Sequence, residues 1–393
     1  MKMVETEKLK LEAEKGQISQ VMAQLQKVEE NNDVVQSRVI LKKRGREVRD
    51  ALRKITKQWL DLENTVMLKA LTLPNDLDKN TPVEKSELLD SAGQVKVSDD
   101  VRSHIEICKQ FDLAKFSSVG PKAYYFKNDL AMTVQTLISS VNNYLTGHGF
   151  SHIAAPEMFR SRVAEGCGVD IQNSQELYKL YDRDAVNDTE SKSHQLLDML
   201  HLRGASLVSF AGYLTKMNTD RETLPLRMFS VGTHYQPQCD LPGLFGALQS
   251  TKAVLFSGSE CDTSSAEEFD KMKSLIWNMY KSMGFPVRLV CSPGSELHVA
   301  ESKRVEVQMW APGIEQFVQV AFASQYKDYV SRRLCCLHSV NIGDHKLGQH
   351  IHMVHGQAMD MTRMIACALE HGSVQQGSWK LPEIPIPSGP ITD

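Results

Sequence analysis

Nine cations crowd residues 38–57: Arg38, Lys42, Lys43, Arg44, Arg46, Arg49, Arg53, Lys54 and Lys57 stand against only Glu47 and Asp50, a net +7 in 20 residues. Such a density of positive charge holds nucleic-acid phosphates by releasing their counterions, and it reads backbone and shape rather than bases. The competing reading is a solvated helix face that merely keeps the segment soluble. A second cluster, His350, His352 and His355, has the close spacing of a metal site, but no carboxylate or Cys completes a ligand set. Cys335-Cys336 reads as two buried thiols rather than a redox pair, because neighbours on a strand point to opposite faces. His234 and His338 lack a nearby nucleophile and acid in a recognisable arrangement, and no chemistry is assigned to them.

The cations need a helix to align them. Residues 1–73 contain no Pro, and their turn-formers Asn31-Asn32-Asp33 separate two segments with helical apolar spacing. Ile18, Val21, Met22, Leu25 and Val28 form one stripe; Val48, Ala51, Leu52, Ile55, Trp59, Leu62 and Val66 form the other, the pattern of an antiparallel coiled coil. A helix over residues 34–71 would run roughly 55 Å at ~1.5 Å per residue and project as an arm. Residues 74–100, polar and beginning at Pro74, read as a linker. From 101 to 372 short apolar runs alternate with amphipathic helices such as 129–146 and 266–283, an α+β body. Residues 373–393 hold Pro382, Pro385, Pro387 and Pro390, which predicts an extended, loosely held tail.

Composition narrows the classes. A net charge of −3 rules out a globally basic nucleic-acid binder, so any RNA contact must be local to the cationic stretch. No apolar run approaches the ~18 to 20 residues of a membrane span. Eight Cys without CxxC spacing favour reduced thiols in an intracellular compartment and give no support for zinc. The N-terminus alternates Lys and Glu, unlike an Arg-rich transit peptide, so a targeting peptide would be absent from this chain.

Three stretches resemble, in order, the mitochondrial type of seryl-tRNA synthetase, a class II aminoacyl-tRNA synthetase family with an antiparallel β-sheet core and an N-terminal helical arm. They are Leu41–Arg49 with Leu68–Asn75, resembling the second arm helix and its exit; Leu130–Pro156, resembling the motif 1 helix and strand of the subunit interface; and Met353–Gly356 with Arg363–Glu370, resembling motif 3. Within that family the chain is most like the catalytically inactive, seryl-tRNA synthetase-like branch of insect mitochondria. The resemblance breaks where chemistry would occur. The family's Phe-Arg-x-Glu is here His234-Tyr235-Gln236-Pro237, and neither a phenol nor a proline replaces a phosphate-binding guanidinium or a carboxylate. Along Gly246–Val254 only Gln249 and Lys252 match the family, and Val254 stands where it has Glu. Leu207 takes the place of the amine-binding carboxylate, Gln319 that of a Glu contacting ATP and metal, and Gln325 that of an Asn in the run before motif 3.

Losing one charged transition-state contact costs ~3 to 4 kcal/mol, and several together leave no plausible residual catalysis. The resemblance therefore implies a non-catalytic subunit with no cofactor and no metal. Arg332, Arg333 and Arg363 are then read as ion pairs rather than a residual nucleotide site. It further implies tRNA binding through the arm, and a class II dimer face at Leu130, Val134, Leu137, Val141, Phe150 and Pro156 that would pair with an active mitochondrial seryl-tRNA synthetase in the matrix. An enzyme of altered specificity and a regulatory module using the fold only as a surface are the alternatives.

Overall fold

The structure, a computed structural model, describes residues 2–25, 32–71, 73–95, 101–171, 173, 175, 177–180, 199–342, 345–375 and 378–387. Val28 and Asn31 of the expected hairpin, residues 96–100 and Pro390 lie outside them. The chain divides into two units, Met1–Leu73 and Pro74–Asp393.

The first unit is α1 (Lys2–Leu25) and α2 (Asn32–Leu71). They run antiparallel: Lys8 lies over the Trp59 ring at 5.9 Å, Arg44 meets Glu14 at 2.7 Å, and Arg38 donates to the Leu25 carbonyl at 2.7 Å, so partners draw together in sequence toward the turn. Val48 and Ile55 are buried, each fully covered side chain contributing about 1.5–3 kcal/mol. Val21, expected in the stripe, is exposed.

The second unit follows as β1 (Glu87–Ala92), α3 (His104–Gln110), β2 (Ala114–Ser117), β3 (Ala123–Phe126), α4 (Asn128–Gly147), β4 (Ser151–His152), β5 (Met158–Arg160), α5 (Ser161–Gly166), β6 (Tyr178–Leu180) and β7 (Leu200–Leu202). Next come α6 (Leu207–Leu214), β8 (Asn218–Thr219), β9 (Leu226–Tyr235), β10 (Gln249–Ser259), α7 (Asp262–Ser282), β11 (Val287–Cys291), β12 (Lys303–Ala311) and β13 (Gln316–Lys327). Then α8 (Tyr329–Leu334), β14 (Leu337–Ile342), β15 (His345–His350), β16 (His352–Asp360), α9 (Met361–Glu370), β17 (Ser373–Gln375) and β18 (Ser378–Lys380) complete it.

Eight strands form one sheet in the order β1-β11-β12-β13-β16-β10-β9-β4, antiparallel throughout except for the short β4–β9 pair. Both faces are covered, and strand alternation sorts the side chains. On β10, Ala253 and Leu255 join the core beneath α7 and α9, while Val254 and Phe256 join the cluster around α5, α6 and α8.

Three expectations need correction. Residues 74–92 are not a linker. Asn75 donates through its side chain to the Ala300 and Tyr326 carbonyls, Thr81 bonds the Ser302 carbonyl, and β1 closes the sheet edge against β11. The described part of the tail, residues 373–375 and 378–387, is not loosely held either, because β17 and β18 pair and Trp379, Leu381, Ile384 and Ile386 pack on the main core. The third correction concerns α4. Its residues Leu130, Leu137 and Val141, with Phe150 beyond its end, are buried inside this chain and present nothing to another subunit. An amphipathic helix on a sheet spends its apolar stripe on its own core first. Val134 is half-buried against that core, and only Pro156 of the six is exposed.

Candidate functional site

A cavity of about 260 Å³ opens on the β9-β10-β16-β13-β12 face of the sheet. Leu207, Val254, Gln319 and Arg363 line it together, as their motif positions imply. Tyr235, Pro237 and Gln325 are not among its lining residues. The Tyr235 hydroxyl instead donates to Glu157 at 2.8 Å, Pro237 sits half-buried beyond β9, and Gln325 is buried within β13.

Sequence reasoning missed most of the polar lining: Arg203, Glu301, Arg304, Tyr326 and Gln357. One signal was legible. In β12, Val305, Val307 and Met309 alternate with Arg304, Glu306 and Gln308, which places charge on the face away from the core. Arg304 pairs with Glu301 at 3.3 Å and Glu306 at 2.9 Å and lies over the Phe322 ring at 4.2 Å. Glu301 also accepts from the Tyr326 hydroxyl at 3.2 Å and from the His298 N–H at 3.0 Å.

Asp360 organises the cationic side. Its carboxylate caps α9, accepting from the Thr362 and Arg363 N–H groups at 3.1 Å each, and lies 3.6 Å from the Lys252 ammonium. Burial drives the Lys252 ammonium down to about 8, aided by Arg363 and Arg203 and opposed by Asp360. Arg363 spends its guanidinium on the Phe245 carbonyl at 3.1 Å, the Gln319 carbonyl at 3.0 Å and the Cys239 sulfur at 3.9 Å. Those donors are therefore committed to this chain.

The histidine cluster disperses. His355 lines the cavity, whereas His352, three residues earlier on the same strand, faces the other way and lies 3.8 Å from Asp262. Among the described residues no group of three His, Cys, Asp or Glu converges as metal ligands. Arg332 pairs with Asp328 at 2.6 Å, and Arg333 stacks on Tyr329 at 3.4 Å; neither lines the cavity. His234 is buried, donates from Nδ1 to the Ala205 carbonyl at 2.9 Å and is held well below the usual imidazole range by burial. Cys336 is buried as expected, but Cys335 is exposed, because it ends α8 in a left-handed conformation at φ 54°.

A second cavity of about 790 Å³ lies among β2, β3, β6 and the β10 start, lined by Val119, Tyr124, Tyr125, Tyr178, Leu180 and Tyr235 among others. Of its lining, Val119, Tyr125 and Leu180 are exposed; Leu200 on β7, Met132 on α4 and Met158 on β5 are exposed as well.

In the first unit, the structure sorts the nine cations. At about 100° per residue, Arg38, Lys42, Arg46, Arg49, Arg53 and Lys57 share a stripe about 100° wide, flanked by Lys43 and Lys54. All except the half-buried Arg38 are exposed. Arg44 falls on the opposite side and is drawn into ion pairs with Glu14 and Glu47, which raise its pKa.

Residues 197–372 match the model of the tRNA synthetase class II core domain (G, H, P, S and T). The mouse mitochondrial serine–tRNA ligase is 26% identical over 389 residues, spanning 95% of this chain and 72% of the mouse protein. The Drosophila melanogaster serine–tRNA synthetase-like protein Slimp is 27% identical over 339 residues, spanning 84% of this chain and 69% of that protein. Seryl-tRNA synthetase from Pyrococcus horikoshii, solved with ATP, shares the fold at a TM-score of 0.79 and 20% identity, covering 97% of this chain and 88% of that one.

Proposed function

We propose that the chain is a member of the class II seryl-tRNA synthetase family and, within it, a non-catalytic subunit that binds tRNA and pairs with an active mitochondrial seryl-tRNA synthetase. The observation that carries the reading is the state of the cavity's carboxylates. Among its described lining residues only Glu301 is acidic, and it is committed to Arg304, the Tyr326 hydroxyl and the His298 N–H. The magnesium nucleotide that the fold family implies does not fit this donor set, since a hard cation needs available carboxylate oxygens and finds none. Leu207 and Val254 add apolar wall where an amine and a metal would need charge.

Two other features support what the subunit does instead. The cationic stripe on α2 supplies phosphate contacts along one helix face, suited to a folded RNA. The exposed apolar set Val119, Tyr125, Met132, Met158, Leu180 and Leu200 is the surface on which a partner subunit would dock, replacing the buried residues of α4 in that role. The partner's active site performs the aminoacylation, and this chain contributes grip on the tRNA in the mitochondrial matrix. Co-expression with the active mitochondrial enzyme and size-exclusion chromatography test the pairing. The expected result is one co-eluting heterodimer peak, and two separate homodimer peaks sink it.

A further inference from the structure

His355 is 4% exposed, and neither of its ring nitrogens has a hydrogen-bond partner among the described residues. The Phe210, Phe322 and Tyr326 rings surround it at 6.1, 5.6 and 6.3 Å between centroids, and the Tyr326 hydroxyl is spent on Glu301. Leaving a buried polar group unmet costs about 1–3 kcal/mol, and folded proteins seldom tolerate it. The partner of His355 therefore enters through the cavity that the ring lines.

Net charge does not select what enters, because the cavity's ions are answered within the chain. Arg304 is paired with Glu301 and Glu306, the buried Asp360 lies 3.6 Å from Lys252 and 3.9 Å from Arg363, and Arg203 is engaged as well. A charged ligand would give up its hydration here without gaining an open counter-ion, a loss that buried charges rarely recover. The ring itself is uncharged: burial first, then Arg304, Arg203 and Lys252, hold the imidazole at about 3. It offers one N–H donor and one nitrogen acceptor.

On the same lining, Gln236 and Gln357 spend amide N–H groups on the Ala247 and Val320 carbonyls at 3.1 and 3.0 Å, which leaves their amide oxygens as further acceptors. A head group that both accepts and donates matches this set. Water does so too, but it leaves the wall of Leu207, Val254, Val169 and Phe322 wet, whereas a polar head with hydrocarbon behind it covers both. The volume of about 260 Å³ lies below the roughly 300–1,000 Å³ of pockets that hold drug-sized ligands, so the body is small.

We propose that this cavity binds a small uncharged primary carboxamide, its head paired with the His355 ring and the Gln236 and Gln357 amide oxygens and its hydrocarbon laid on Leu207, Val254 and Phe322. Such a ligand belongs to this subunit alone, apart from tRNA and from the partner.

The test uses the full chain with isobutyramide, its anionic isostere isobutyrate, and serine. Calorimetric titration and thermal unfolding follow binding, and histidine ring resonances follow the site. Isobutyramide is expected to bind saturably, to raise the unfolding midpoint and to move the His355 ring signals. Isobutyrate and serine, which must bury charge, should bind about 10-fold more weakly or worse. His355→Phe, which keeps a ring but removes its nitrogens, identifies the His355 signals and should weaken isobutyramide about 2- to 10-fold, the worth of one neutral hydrogen bond. Should that variant fail to fold, the amide-against-acid comparison on the unaltered chain still decides. The proposal is overturned by no saturable isobutyramide binding, by isobutyrate or serine binding as tightly, by binding that leaves the His355 signals in place, or by unchanged affinity in a folded His355→Phe chain. None of these readouts involves tRNA or a partner, so failure here leaves the proposed subunit role standing.

Discussion

Neutralising three cations of the α2 stripe while sparing a fourth outside it separates a phosphate-binding face from generic positive charge. Arg46, Arg49 and Arg53 lie on the exposed stripe, whereas Arg44 faces away and is engaged by Glu14 and Glu47. Each phosphate contact contributes roughly 0.7 to 0.9 to the slope of log K against log salt, the lower value for single strands and the higher for duplex. At 0.1 M salt, one log unit below the 1 M reference, each contact is thus worth about 0.7 to 0.9 log units of affinity. The triple variant Arg46→Gln, Arg49→Gln, Arg53→Gln should then lose about 2 to 3 units of slope and about 10² to 10³ in affinity. Arg44→Gln should change both by less than one contact's worth. Fluorescence anisotropy of a labelled serine tRNA across a salt series measures both quantities, with circular dichroism checking that each variant stays helical. An unchanged slope in a folded triple variant, or an Arg44→Gln loss as large as the triple's, refutes the face.

Three further outcomes follow from the second unit. Leu130→Ala should cost about 2–5 kcal/mol in denaturant unfolding, as a cavity in a core does, while exposed Met132→Asp should leave stability within about 0.5 kcal/mol yet weaken pairing in a co-purification assay. Glu268 is bound by Arg227 at 2.7 Å, Lys271 and Ser257; burial alone would raise its pKa, but these bonds prevail and hold it at about 2. A depressed carboxylate stabilises above its unfolded value, near 4.5, and loses that contribution as pH falls toward 2, so Glu268→Gln should cost on the order of 3 kcal/mol at pH 7 and almost nothing near pH 2. Glu370 accepts from the His104 ring at 2.7 Å and from the His104 and Gly313 N–H groups in a fully buried setting, so Glu370→Ala should lower stability by about 3–5 kcal/mol by thermal unfolding.

Periodicity made the helices and the long inner strands legible, because Leu130, Leu137 and Val141 or Val305, Val307 and Met309 repeat at the spacing of their element. The same stripe misled on assembly: a repeat of apolar residues says that a face is covered, not by which chain. Glu87–Ala92 escaped notice because an edge strand with nearly every side chain exposed carries no alternation. The packing of residues 378–387 was hidden by their prolines, between which the half-buried Ile384 and Ile386 alternate. Of the cavity, the replaced motif positions Leu207, Val254 and Gln319 could be read from sequence. Arg203, Glu301 and Arg304 could not, since residues about a hundred positions apart meet there only after the sheet has formed.

The central claim, that the chain no longer activates an amino acid, is tested most directly by serine-dependent exchange of pyrophosphate into ATP with the purified chain alone. The account predicts a rate indistinguishable from that without serine, since Glu301, the acidic residue among the cavity's described lining, is committed and is not available to a metal. Serine-dependent exchange that is saturable and lost on Arg363→Ala would contradict it.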